Sequence, residues 1–239
     1  VDFHLGVVDT DVGHGGELEG NPPFLTPTSP DPVAAFAQAS NLGTSGSGME
    51  QPFRTAMLAL SSPNTAPGGF NEGFLRLEAG LHILVWTDEA EQSGPNLGWT
   101  TADFIAWFQA LKDDPAQVVL SNVSGGSIGC NGLGGNASPG VAFVEAAEAT
   151  GGLNASICDP AWSASLTALP WTPSLPMSRF YLSQIPIPGT VQVSVGGVGT
   201  FSGWVWDAAL NAVVFAPPQI PGDGEVVEVE YGVPPPCGG

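Results

Sequence analysis

Three short stretches, residues 81–87 (LHILVWT), 117–123 (QVVLSNV) and 154–157 (NASI), alternate with segments of helical periodicity, and this alternation limits the architectures open to the chain. The first is a continuous apolar run, the pattern of a parallel strand covered on both faces. After it, Thr100 or Thr101 opens the helical segment DFIAWFQALKDD, which sets Phe104, Ile105, Phe108 and Leu111 on one face. Residues 139–149 and 162–169 read as further helices. Upstream, residues 1–8 read as a strand, and a Gly- and Pro-rich loop follows, with a short hairpin near Leu18. Residues 32–38 and 49–60 then read as helices separated by the breaker GTSGSG. The whole predicts an α/β fold with a doubly wound, mostly parallel sheet.

After PWTPSLP the pattern changes. From 180 to 231 the chain alternates polar and apolar residues between Gly and Pro turns, as in TVQVSV, FSGWVWD and NAVVFA. The expected organisation is an α/β domain over 1–173 and a small antiparallel β module with a Pro-rich tail over 174–239. The module is expected to bury Val193, Val195, Trp204, Val214 and Val227, with Asp223 and Glu225 in an exposed turn. Trp204 and Trp206, two apart, are expected on one face that packs, or else serves as a carbohydrate platform.

Charge narrows the choice of partners. The 239 residues hold 23 Asp and Glu against 4 Lys and Arg, a net charge of −19. Nucleic acid and anionic membrane surfaces, which are gripped through Lys and Arg, are excluded as partners. Cations are the natural ligands. No run approaches the roughly 18 apolar residues of a membrane span. Cys130, Cys158 and Cys237 form no metal-type CxxC pair, and the Gly-, Ser- and Pro-rich, Lys-poor composition points to an oxidising extracellular, cell-surface or periplasmic setting.

Ligands of open α/β sheets bind outside the carboxyl ends of the strands. Asp88 stands there, opening the acidic run DEAE that ends the 81–87 strand. The hydroxyl-rich TSGSG loop before the 49–60 helix emerges at a carboxyl edge as well. Hydroxyls plus a carboxylate suit a hard divalent cation, Mg or Ca. In the competing reading, Asp88, Glu89 and Glu91 cap the next segment and face water.

Other motifs carry less. GGSIG (125–129) has the form of a nucleophile elbow, but no helix follows Ser127 directly and His4, His14 and His82 all lie upstream. GLGGNA (132–137) follows Cys and Asn rather than a strand, so a dinucleotide site is not expected. DTDVG (9–13) echoes a calcium loop but has Gly20 where the bidentate Glu would stand; Asp11 is expected in a solvated turn near the sheet edge. His4 and His82 are expected to pack. No catalytic residues emerge, and the chain is expected not to be an enzyme.

The order HLGVVDTDV, GTSGSGMEQPFRTAMLAL, NEGFLRLEAGLHILVWTDEAEQS and TGGLNASIC resembles the von Willebrand factor A domains of bacterial surface proteins over about residues 1–170. The resemblance implies a Rossmann-like fold and a metal-ion-dependent adhesion site. In it Ser47 matches the second-loop hydroxyl and Asp88 the third-loop carboxylate, with Ser45 and Asp11 as lesser candidates for ligands. It implies a cation-dependent adhesion module or, with the metal site vestigial, a structural subunit of a surface assembly. The first-loop DxSxS is missing, and Val1 corresponds to the family's second strand. The central position of the family's sheet is then expected to be filled by an N-terminal segment or by a strand from a partner. Cys130 and Cys158 flank short strands in neighbouring parts of the sheet, where this family often has cysteines, and are expected to pair. That leaves Cys237 to a partner before Val1.

Overall fold

The computed structural model describes residues 2–43, 46–77, 79–94, 98–161, 179–216, 219–222 and 225–234. The chain divides into two compact units, Val1–Pro173 and Ser174–Gly239. The expected 162–169 helix, Ser45, Asp223 and Cys237 lie outside the described residues.

The first unit is built on a three-stranded parallel sheet of β3 (Leu81–Trp86), β4 (Val118–Ser124) and β7 (Asn154–Ser156), in that order. Leu81 is in register with Val118, and Asn122 with Asn154. β4 is central and buried at every residue. Its polar residues are satisfied by the neighbouring strands and the segments that flank them. Asn122 Nδ2 donates to Asn154 Oδ1 (2.5 Å) and to the Phe143 carbonyl (3.2 Å), while Ser121 Oγ accepts from Leu153 N–H (3.0 Å) and contacts His82 Nε2 (2.9 Å). Buried polar groups are tolerated on these terms.

Among the described residues this unit has four α-helices: α1 (Pro32–Ala39), α2 (Pro52–Ala59), α3 (Thr101–Gln109) and α4 (Val141–Thr150). Thr100 and Asp103 form a reciprocal capping box at the start of α3. Phe104, Phe108 and Phe143 are essentially inaccessible and meet Leu81, Val85, Val118 and Leu120 in the core. Phe53 stacks on Phe104 at 3.8 Å between ring centroids and meets Phe143 edge-on at 5.4 Å. α2 begins at Pro52, three residues later than the apolar spacing suggests. Proline lacks an N–H and has a helix-ready φ, which suits it to a helix's first position.

The fold is mixed α/β, and its parallel part has three strands rather than a clearly doubly wound sheet. The expected strand over 1–8 reduces to β1 (Leu5–Gly6), which pairs antiparallel with β2 (Phe24–Leu25). The reason lies in its backbone partners: the 19–25 segment folds back on it, with Glu19 N–H donating to the Val7 carbonyl at 2.8 Å. β5 (Cys130–Gly132) and β6 (Gly135–Ala137) form a hairpin. Cys130 and Cys158 are disulfide-bonded with Cα atoms 6.1 Å apart, so the expected pairing holds.

Among the described residues the second unit has two antiparallel three-stranded sheets. One orders β10 (Val198–Thr200), β9 (Gln192–Val195) and β13 (Val227–Glu230); the other orders β11 (Trp204–Asp207), β12 (Ala212–Phe215) and β8 (Arg179–Tyr181). Val193, Val213 and Phe215 are its buried centre, with Val195, Trp204 and Val227 packed against them. Val214, expected inside, is not in this cluster, because successive β12 residues face opposite ways and Val213 and Phe215 hold the inner face. Trp204 packs there and its indole N–H donates to the Thr200 carbonyl (3.0 Å), as the packed-face reading expects. Glu225 is exposed, its carboxylate accepting from Gly222 N–H.

Candidate functional site

The residues expected around a cation fall at the ends of the strands and the loops beside them. Asp11 caps a 3-10 turn over Val12–His14, accepting from Gly13 N–H (2.8 Å), and its second oxygen accepts from Ser47 N–H (2.9 Å). These backbone donors, Gly13 first, hold the Asp11 pKa below the ordinary carboxylate value. Asp11 and Ser47 are therefore brought together, but through Ser47's backbone; its hydroxyl accepts from Met49 N–H. Asp88 is exposed, and its carbonyl accepts from Ser138 N–H (2.8 Å). No hydrogen bond joins it to Asp11 or Ser47.

The acidic run after β3 has a structural use. α2 has no side-chain cap of its own, since Gln51 makes none. Two of its free N–H groups are met from elsewhere: Phe53 N–H donates to Glu91 Oε2 (2.9 Å) and Arg54 N–H to Ser93 Oγ (3.2 Å). Glu91 also accepts from Ser93 N–H (2.6 Å). Burial raises the Glu91 pKa, against the opposing pull of these donors. Glu89, by contrast, is exposed and accepts from Ser138 Oγ (3.3 Å).

A different constellation assembles in the 9–19 loop. One ligand atom from each of Asp9, His14 and Glu19 lies within 4.8 Å of the others. His14 Nδ1 contacts Asp9 Oδ2 directly, and that hydrogen bond, followed by the Asp9 charge, raises the His14 pKa. The three line a cavity of about 290 Å³ together with Gln38, Asn41 and Leu42. The last two residues of α1, Gln38 and Ala39, and Asn41 and Leu42 after it form one wall, so the negative end of the α1 dipole adjoins the carboxylates.

The loop is fixed by amides far along the chain. Asn71, fully buried, accepts from Leu18 N–H (3.0 Å) and donates to the Gly16 (2.9 Å) and Ala59 (3.0 Å) carbonyls. Asn64 donates to the Gly15 and Leu58 carbonyls at 2.8 and 3.0 Å. At Gly16, with φ +74°, a Cβ would lie 2.5 Å from Leu58 Cβ, so the loop can cross the end of α2 only with glycine there.

Sequence reasoning passed over Asp9, His14 and Glu19 as a group; the available signal was three metal-capable residues at intervals of five in one Gly-rich loop. Among the described residues, no helix is long and apolar enough to cross a membrane. Comparison with protein-family models, curated proteins and solved structures finds no match.

Proposed function

We propose that the protein is an extracytoplasmic, non-enzymatic binding module whose contact with a partner is coupled to a divalent cation held by Asp9, His14 and Glu19. The observation that carries this reading is the convergence of those three ligands on the wall of a cavity. The resemblance to von Willebrand A domains points to the same kind of function, although its own ligand candidates, Ser47 and Asp88, are not the residues that converge. A net charge of −19 favours any cation over an anionic ligand. The disulfide fits an oxidising compartment.

The test is thermal denaturation of chelator-stripped protein with and without added Mg, Ca or Zn ions. At a cation concentration of about 100 Kd, binding to the folded state stabilises it by about 2.7 kcal/mol, and D9N/E19Q should abolish the shift. If no cation shifts wild-type denaturation, the coupling is wrong.

A structural subunit of a surface assembly is the second reading. Among the described residues β3 ends the parallel sheet, with Leu84 36% and Trp86 43% exposed, and the end of a sheet is where a partner or an N-terminal segment can add a strand.

A further inference from the structure

We infer that Asp9, His14 and Glu19 select a borderline transition-metal ion of the zinc class, and that its open coordination position faces the cavity and takes a carboxylate. This rests on the cation-coupled reading above and specifies which ion and which ligand chemistry it uses.

The donor set separates the candidates. Magnesium and calcium are hard ions that gather six or more oxygen ligands, whereas imidazole suits zinc, nickel, copper and iron. One imidazole and two carboxylates make a three-ligand N/O set, the number that catalytic-type zinc sites use while leaving a fourth position for an exogenous ligand. His14 Nδ1 and Asp9 Oδ2 touch directly, so an ion would replace their hydrogen bond and part the two atoms. Ligand atoms of a tetrahedral zinc ion lie about 3.4 Å apart at bond lengths of about 2.1 Å, against the 4.8 Å limit within which the trio sits. The difference is within reach of rotamer changes, because the His14 side chain is 58% exposed and Glu19 is only half-buried.

The backbone is set in advance. Asn64 and Asn71 pin residues 15–18, and Asp11 fixes the turn that ends at His14, so binding need order only side chains. Asp9 and Glu19 neutralise the ion's double charge, leaving it able to accept one anionic oxygen. The cavity offers that oxygen's partner atoms the side-chain amides of Gln38 and Asn41, groups that donate to a carboxylate. An acidic side chain of a partner protein is such a ligand.

Calorimetric titration of the chelator-stripped full chain at neutral pH tests the assignment, with zinc, cobalt, magnesium and calcium ions as separate probes. Zinc and cobalt should bind one per chain, with magnesium and calcium at least about a hundredfold weaker. H14A should cost at least about tenfold in zinc affinity, because removing even an outer partner of a metal ligand costs about 10–100-fold. The exposed His14 allows that variant to fold, which circular dichroism verifies. D88N should leave zinc affinity unchanged. Acetate should shift the visible spectrum of the cobalt form. Calcium or magnesium binding that is lost in D9N/E19Q but indifferent to H14A would overturn the metal assignment while leaving a cation-coupled module intact. Absence of binding by every ion would overturn both, and zinc binding that depends on Asp88 rather than His14 would overturn the location. A cobalt spectrum indifferent to acetate would overturn the carboxylate.

Discussion

Replacing Glu91 by alanine should loosen the start of α2 without disturbing the strand that precedes Glu91. The carboxylate accepts two backbone N–H groups, from Phe53 at 2.9 Å and Ser93 at 2.6 Å, and both residues are about 95% buried. Losing a helix N-cap acceptor costs about 0.5–2 kcal/mol, and leaving a second buried N–H unmet costs about 1–3 kcal/mol. Alanine also removes a carboxylate whose ionisation burial disfavours, which offsets part of that loss at neutral pH. A net destabilisation of about 2–4 kcal/mol follows. Hydrogen exchange read at residues 53–55 should speed by about 30- to 1,000-fold, since each 1.4 kcal/mol is a factor of ten. E89A, at an exposed carboxylate with one long bond, should stay within about 0.5 kcal/mol of wild type. If E91A exchanges like wild type at 53–55, or E89A is as disruptive as E91A, the capping role is wrong.

The same residue has a pH signature. Because its folded pKa is raised, Glu91 contributes most to stability below its unfolded value near 4.5, and that contribution is lost as pH rises through the folded value. The stability difference between wild type and E91Q should therefore shrink from about pH 4 towards neutrality. A difference that grows over that range would show that the two N–H donors outweigh burial.

Asp11 should behave in the opposite sense: its lowered pKa adds stability above the ordinary carboxylate value that is lost as pH falls through the folded value, so D11N should flatten the acid limb of a stability-pH curve. N71A removes a fully buried amide with three backbone partners and should cost about 3 kcal/mol or more, with faster exchange at residues 16–18 in the same sample. Replacing both Cys130 and Cys158 by serine opens a loop with a sequence separation of 28 and should lower stability by about 3–4 kcal/mol in urea unfolding; a cost under about 1 kcal/mol would mean the native pairing is strained.

What could be read from the sequence and what could not divides by the range of the interaction. The core strands were legible because the apolar run in β3 and the spacing of Phe104 and Phe108 in α3 are local periodicities that burial demands. The cap of α3 was legible to within one residue, as Thr100 or Thr101, because a cap and its helix are adjacent; Thr100 holds it, with Asp103 three residues away. The inner face of β12 was missed by one position, since its four residues AVVF are all apolar and the alternation that separates Val213 from Val214 leaves no mark in such a run. The Asp9, His14 and Glu19 group was missed because its geometry is imposed by Asn64 and Asn71, 49 to 55 positions from the backbone they hold. Side-chain amides bonding to distant backbone produce no period and no motif.

The role of the acidic end of β3 also depends on a partner distant in the chain. Carboxylates placed for a cation and carboxylates placed for a helix N-terminus look alike on their own strand, because both satisfy positive charge or partial charge with the same oxygens. The distinguishing information sits at the other partner. The segment GMEQPFRTAM enters α2 through Gln51 and Pro52, with no Ser, Thr, Asp or Asn at the cap, so its N–H groups at 53 and 54 must find acceptors outside the helix. A buried helix start without its own cap needs oxygen atoms supplied by another segment, and residues just past a parallel strand's carboxyl end are well placed to supply them. Glu91 and Ser93 do so. Asp88 and Glu89, on the same run, have no part in it and stay exposed, and the acid committed to the cap is the one that burial has withdrawn from water.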